Sequence, residues 1–158
     1  MRIALTLLIL STAVSLSAQE AKPAAPAPPG YDAALAERLG ADQRGMRAYV
    51  FVVLKTGPKT DQTKEESAKL FAGHMANIKR LAALGKLVLA GPFMAENERK
   101  YEGIFIFNLK TVKEAEELLV TDPAVAAGRF SYEAYSWYGT AALMDVTSIH
   151  NRIDKTSH

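Results

Sequence analysis

The sequence predicts an α+β domain in which a four-stranded antiparallel sheet carries two helices on one face. Three observations predict this fold. Runs of β-branched and aromatic residues alternate with amphipathic segments in the order strand, helix, strand, strand, helix, strand. Both amphipathic segments open with a Thr-x-x-Glu pattern, and glycines follow several of the predicted elements. This order is the split βαβ, or βαββαβ, plan.

The predicted core, residues 46–139, has short strands and one long helix. Its strands are expected at residues 49–54, 87–90, 103–107 and 130–138. Capping boxes at Thr63 and Thr111 begin the two helices, because each threonine hydroxyl serves a backbone N–H and the glutamate three residues later reaches back. Gly85 supplies the left-handed stop of the first helix.

Both faces of the predicted sheet are apolar. In the first strand, Val50 and Val52 point to one face, whereas Tyr49 and Phe51 point to the other. Two helices cover only one face, and an antiparallel sheet with a solvated face alternates polar and apolar residues. The second face is therefore predicted to pack on the same sheet of another copy, which gives a homodimer. The alternative is that the N-terminal segment or the C-terminal tail folds over it.

Residues 1–18 have the features of a secretory signal peptide: a basic Arg2, a short apolar run and small residues up to Ala18. The run is shorter than the ~20 residues of a transmembrane helix, although a retained N-terminal anchor is the alternative. We expect an exported protein, periplasmic or secreted, with no membrane segment after cleavage. Residues 19–45 follow as a Pro/Ala-rich linker and short helix, and residues 140–158 form a C-terminal tail.

The composition excludes several functional classes. Lys+Arg number 19 against 17 Asp+Glu, and a net charge of +2 lacks the basic surplus of a dedicated nucleic-acid binder. The absence of cysteine excludes disulfides, a thiolate nucleophile and a thiolate zinc site. Neither His150 nor His158 has a second ligand at i+4 with a third nearby, so no metal site is predicted.

His74 and Asp122 are the residues best suited to chemistry. On a helical wheel with Leu70 at zero, His74 falls at about 40°, so the helix turns an imidazole toward the sheet. This histidine is either a core residue bonded to a backbone carbonyl or a general acid/base at the wall of a pocket. The pair Asp122-Pro123 is typical of a helix start, with the aspartate as the N-cap. The alternative is that Asp122 takes part in the chemistry of the site.

Four segments carry a family resemblance: residues 73–78 (GHMANI), 85–93 (GKLVLAGPF), 103–107 (GIFIF) and 121–128 (TDPAVAAG). In order and spacing they resemble the YCII-related (YciI-like) family, over roughly residues 47–138. The resemblance implies a ferredoxin-like fold that pairs as a dimeric α/β barrel. It also implies a site around a His-Asp pair, which matches His74 and Asp122, and no cofactor. Some relatives act on small ring compounds, including a dehydrochlorinase of a hydroxylated chloroaromatic, and muconolactone isomerases share the fold.

Two segments depart from the family's pattern. Many relatives carry an aspartate near the end of the first strand, where this chain reads LKTG at residues 54–57. Some close relatives read His-Pro-Trp in the last strand, where this chain reads YSWY at residues 135–138. Without the additional acid, His74 depends on Asp122 alone.

With the resemblance included, we expect proton transfer on a small cyclic or unsaturated acid or a phenol. Asp122 accepts a hydrogen bond from one ring nitrogen of His74, and the other nitrogen takes or gives the substrate proton. Lys55 is a candidate for binding an anionic substrate, Gly91-Pro92-Phe93 for shaping the pocket, and Trp137 for stacking on a ring. The alternative is a non-catalytic module of the cell envelope that binds a small ligand or has a purely structural role.

Overall fold

The computed structural model of the protein describes residues 27–155. The predicted signal peptide, residues 1–18, lies outside the described residues, as do His158 and most of the Pro/Ala-rich spacer. The helices are α1 (Ala33–Leu39), α2 (Lys64–Ala83), α3 (Val112–Leu119), α4 (Pro123–Ala126) and α5 (Val146–Ile153). The strands are β1 (Met46–Thr56), β2 (Leu87–Pro92), β3 (Tyr101–Phe107) and β4 (Phe130–Thr140), and a 3-10 helix covers Ala141–Asp145.

The four strands form one antiparallel sheet in the order β2-β3-β1-β4, with β1 between β3 and β4. This arrangement confirms the predicted α+β, ferredoxin-like fold. β1 and β4 are each 11 residues long, which exceeds the apolar runs that predicted them. They pair over their whole length, from Met46 opposite Thr140 to Thr56 opposite Phe130, because continued pairing satisfies the backbone groups beyond the apolar residues.

Both predicted capping boxes are present and fix where the main helices begin. The Thr63 hydroxyl accepts from the backbone N–H of Glu66, whose carboxylate accepts from the N–H of Thr63 at 2.8 Å. Thr111 and Glu114 make the same reciprocal pair at the start of α3. Gly85 follows α2 with a left-handed φ of +64°, a conformation that costs glycine little.

The helices α2 and α3 cover one face of the sheet, here called the helix-covered face. Its alternate strand residues and the facing helix residues form one apolar core. The buried members of this core are Val50, Val52, Leu54, Leu81, Leu87, Phe105, Phe107, Leu109, Ala115 and Leu119. Phe107 has no exposed surface at all.

The opposite side of the sheet, the second face, is covered in part by the C-terminal segment, Ala141–Ile153. Tyr49, Val88 and Ile106 are buried on this face, and Leu143 and Met144 pack against them. The C-terminal tail therefore provides some of the cover, which was one of the alternatives that the sequence left open. Elsewhere on β4 aromatic residues stay exposed, and pairing with a second copy remains a prediction.

No helix within residues 27–155 is long and apolar enough to cross a membrane.

Candidate active site

The helix α2 turns the imidazole of His74 toward the sheet, as its wheel position predicts. The residue keeps only 7% of its surface exposed. Its ring stacks on Phe105 with 5.9 Å between centroids and meets the edge of Phe130 at 5.2 Å. A third ring, Phe71, lies one turn earlier on α2 at 6.3 Å. The imidazole is thus held in an apolar, aromatic environment, where an unpaired polar ring would be costly.

Asp122 caps the short helix α4 and faces α2. Its Oδ1 accepts a hydrogen bond from the backbone N–H of Ala124 at 2.9 Å, and Pro123 occupies the first turn. Gly73 permits the close approach of the two helices, because a Cβ at this position would lie 2.9 Å from Cγ of Pro123. The predicted cap is confirmed, and the carboxylate also makes a second contact.

That second contact is with His74: Nδ1 of the ring lies 2.7 Å from Oδ2 of Asp122. The Asp122 residue is 1% exposed. Burial raises the pKa of the Asp122 carboxyl, but the hydrogen bond and charge of His74, the Ala124 N–H and the Asn77 amide together hold that pKa below its ordinary value. The carboxylate is therefore stabilised in its charged form although it lies inside the protein.

The contact also determines which ring nitrogen is available. An ionised carboxylate only accepts hydrogen bonds, so Nδ1 of neutral His74 carries the proton and Nε2 has the free lone pair. Among residues 27–155, Nε2 makes no hydrogen bond. Nε2 is not completely buried, so part of its surface is accessible to solvent. A histidine whose Nε2 is unbonded and whose Nδ1 donates to a carboxylate can act as a general base.

Asn77 was not singled out by the sequence reasoning, although it belongs to the same site. Its Nδ2 lies 3.5 Å from Oδ2 of Asp122, and its side chain is largely buried. The wheel that placed His74 puts Asn77 at about 340°, also inside the apolar arc. A buried amide in an apolar helix face needs polar partners, and that signal was available in the sequence.

Lys55 and Trp137, both predicted to bind substrate, are not brought together with His74 within the protomer. Both project from the second face, whereas His74 packs on the helix-covered face. Lys55 forms an ion pair with Glu133 at 2.8 Å, and Trp137 packs against the ring of Tyr49 at 5.8 Å. The strand alternation decides this, because residues of the same parity as Tyr49 point away from α2.

Gly91, Pro92 and Phe93 lie at and just after the end of β2. The Phe93 N–H donates to the carbonyl of Glu102, and the Phe93 ring lies 6.1 Å from that of Tyr101. These two rings and the loop 94–99 line an open cleft of about 620 Å³, and a second cleft of about 250 Å³ lies beside Arg47. Neither cleft is lined by His74. The predicted part of Gly91-Pro92-Phe93 in shaping the pocket stays a prediction.

Within residues 27–155, no group of three or more histidine, aspartate or glutamate side chains is placed to hold a metal ion.

The fold and the site define a class of protein: a ferredoxin-like α+β domain with a buried histidine–carboxylate pair between a long helix and the turn before its last strand. The YCII-related domain matches residues 49–138, which is more than half of the chain, and the protein belongs to this family. The expected resemblance is thereby confirmed.

Several solved structures resemble the chain. One of them is 5-chloro-2-hydroxyhydroquinone dehydrochlorinase from Burkholderia phenoliruptrix AC1100, in complex with 2,5-dihydroxybenzoquinone. The two chains are 18% identical, the match covers 56% of this chain and 92% of the other, and the TM-score is 0.43. No curated protein sequence matches the chain.

Proposed function

We propose that the protein catalyses proton transfer on a small cyclic or unsaturated acid or a phenol, with His74 as general acid/base and Asp122 as its partner. One observation carries this proposal: Nδ1 of His74 lies 2.7 Å from a buried carboxylate while Nε2 remains without a partner among the described residues. A core histidine of purely structural use satisfies both nitrogens where it can. Here one nitrogen is engaged and the other is left open.

The chemistry follows from this geometry. Nε2 removes a proton from a C–H or O–H group of the substrate, and the resulting imidazolium donates from Nδ1 to the Asp122 carboxylate. The negative Asp122 stabilises the imidazolium in a medium of low polarity. Return of the same proton to another substrate atom completes an isomerisation, whereas its transfer to a departing group completes an elimination.

The surroundings of His74 support a planar, unsaturated substrate. Phe71 is 60% exposed beside the imidazole, and an exposed ring next to a catalytic nitrogen is a surface on which another ring stacks. The substrate class itself comes from the family, whose members include proteins that act on small ring compounds. The chlorinated hydroxyhydroquinone named for the similar solved structure belongs to that class.

A His74→Gln variant tests the acid/base role. Hydroxyquinol and a panel of phenols and unsaturated acids are incubated with protein in D₂O, and hydrogen–deuterium exchange at substrate carbons is followed by ¹H NMR. We expect the exchange catalysed by the native protein to fall by about 100-fold or more in His74→Gln, because general acid/base groups contribute on this scale.

The matched control is His150→Gln. His150 is also a histidine beside an aspartate, Asp154, but its side chain is 61% exposed and the closest atoms are 3.7 Å apart. Full exchange in His150→Gln is expected. Equal exchange by native protein and His74→Gln would remove His74 from the chemistry.

Binding without turnover is the second candidate, and the exposed Phe71 ring beside His74 favours it, since a ring that is 60% exposed can stack on a ligand whether or not a proton is transferred. A panel compound that raises the melting temperature of the native protein, but shows no exchange, would support this alternative. The same compound should then lose its effect in Phe71→Ala, because stacking would be its main contact.

We further propose that the protein is exported. The support lies in residues 1–18, where Arg2, an apolar run and a small-residue end follow the order of a signal peptide. Expression of the full chain in a Gram-negative host with N-terminal sequencing of the periplasmic product checks this. A periplasmic protein that begins at Gln19 is expected, and a product found only in the cytoplasm with residues 1–18 intact would contradict export.

A further inference from the structure

A hydrogen-bonded network lies directly behind the His74–Asp122 pair. Oδ1 of Asn77 accepts from Nη2 of Arg80 at 2.7 Å, and the same guanidinium nitrogen lies 2.9 Å from Oγ1 of Thr121. The Thr121 hydroxyl in turn donates to the carbonyl of Leu118 at 2.7 Å. Arg80 therefore links α2 to the residue that immediately precedes Asp122.

The chemistry of arginine fixes the orientation of the Asn77 amide. A guanidinium only donates hydrogen bonds, so the amide oxygen must face Arg80. The amide nitrogen then faces Asp122, with Nδ2 at 3.5 Å from Oδ2. That separation is long for a hydrogen bond, and the amide acts mainly by presenting its positive end to the carboxylate.

Oδ2 of Asp122 consequently lies between two donors, Nδ1 of His74 and Nδ2 of Asn77. Oδ1 is held separately by the Ala124 N–H. A carboxylate fixed at both oxygens cannot rotate away from the imidazole without breaking a contact. Within residues 27–155, His74 is the titratable side chain that contacts Asp122.

We propose that Asn77 and Arg80 are positioning residues for this pair: Arg80 fixes the Asn77 amide and Thr121, and the amide holds the Asp122 carboxylate toward Nδ1 of His74. The catalytic meaning of this network rests on the proposed function, but the positioning itself does not. Neither residue contacts the open Nε2, so neither is assigned to the substrate.

The proposal is tested on the protein without substrate. The titration of the Asp122 carboxyl is followed by ¹³C NMR from acid to neutral pH, and the ¹⁵N shifts of the His74 ring report which nitrogen carries the proton. The variants are Asn77→Leu, which keeps the side-chain volume but removes the amide, and Arg80→Met, which removes the guanidinium at an exposed position. Lys79→Met is the matched control, because it removes a neighbouring exposed charge outside the network.

We expect the Asp122 titration midpoint to rise by about half a pH unit to one unit in Asn77→Leu, because a donor to the carboxylate is lost. A smaller rise in the same direction is expected in Arg80→Met, together with a loss of the single Nδ1–H form of the His74 ring. Lys79→Met should leave both measurements unchanged. If Asn77→Leu does not fold, the surface variant Arg80→Met carries the test.

Unchanged midpoints and ring shifts in both network variants would overturn the proposal, and so would an equal change in Lys79→Met. These outcomes are separate from those of the proposed function. A native protein that shows no catalysed exchange, but whose Asp122 titration moves in Asn77→Leu, would lose the enzyme function and keep the positioning network.

Discussion

The two faces of the sheet present the same kinds of strand residues to very different surroundings. A polar pair of similar length lies on each side of the sheet, with 2.7 Å between the paired atoms of His74 and Asp122 and 2.8 Å between those of Lys55 and Glu133. The side chains of the first pair are 9% and 1% exposed, whereas those of the second are 33% and 37% exposed. The distance between the paired atoms therefore does not separate the two pairs, but burial does.

The difference shows why the first pair is the better candidate for chemistry. Water and salt screen an exposed pair, so Lys55–Glu133 contributes little and can exchange its partners freely. The aromatic rings around His74 leave only 9% of its side chain exposed, so a charge that forms on the imidazole interacts strongly with Asp122. The helices α2 and α3 create that environment, and the C-terminal segment covers too little of the second face to do the same.

The largest effect expected from this comparison is on stability. Phe107→Ala removes a fully buried ring from the helix-covered face and should lower the free energy of unfolding by about 3–5 kcal/mol. Ile153→Ala removes an exposed side chain from the C-terminal segment on the second face and should change it by about 0.5 kcal/mol or less. Urea unfolding of both variants measures the contrast, and similar losses in the two would show that the faces are equally packed.

A smaller, pH-dependent effect is expected at the buried pair. Asp122→Asn keeps the cap of α4 but replaces the acceptor of the His74 hydrogen bond, which should cost about 1–3 kcal/mol at neutral pH. The pKa of Asp122 is lowered in the folded protein, so its stabilisation is complete above the unfolded value of about 3.9 and is lost as the pH falls through the folded value.

The midpoints of urea unfolding, measured from neutral to acid pH, test whether the stabilisation by Asp122 is lost as the pH falls. The native protein should lose stability below about pH 4 more steeply than Asp122→Asn, so that the two curves converge in acid. A constant difference at all pH values would mean that the carboxylate charge contributes nothing to the pair.

Substitution of Trp137 is expected to have the smallest effect on the stability of the folded chain but a clear effect on its assembly. We propose that the exposed part of the second face pairs with a second copy, since Trp137 and Tyr135 remain 38% and 51% exposed there. Trp137→Lys should convert a dimer to a monomer in sedimentation while it leaves the fold intact. Val120→Lys, an exposed residue at the end of α3, is the control, and a native monomer would contradict the pairing.

The sequence predicted the framework well because its signals are local. The capping boxes at Thr63 and Thr111 and the stop at Gly85 depend only on residues within a turn of one another, and the structure has all three. The inward direction of His74 also follows from helical periodicity alone. The pairing of His74 with Asp122 could not be derived from local signals, because Asp122 is 48 residues away in the chain. The family resemblance, and not the helical wheel, joined the two residues.

The arrangement of the predicted site residues depends on long-range geometry. Lys55 and Trp137 were grouped with His74 as site residues, and within the protomer strand parity places them on the opposite face of the sheet, so their part in binding stays a prediction. The inward position of Asn77 could be derived from the helical wheel, but its contact with Asp122, 45 residues away in the chain, could not.

The amino-acid sequence by itself determined where the two main helices begin, where the first of them stops and which sides of the strands and helices are apolar, because those properties arise from neighbouring residues. Only the tertiary structure decided that a helix cap would meet an imidazole and that the C-terminal segment would cover part of the second face. Both outcomes come from the packing of distant segments, which buries one carboxylate beside His74 and leaves another, on Glu133, partly exposed. Burial sets how strongly a charge acts on its partner, and burial is a property of the whole fold.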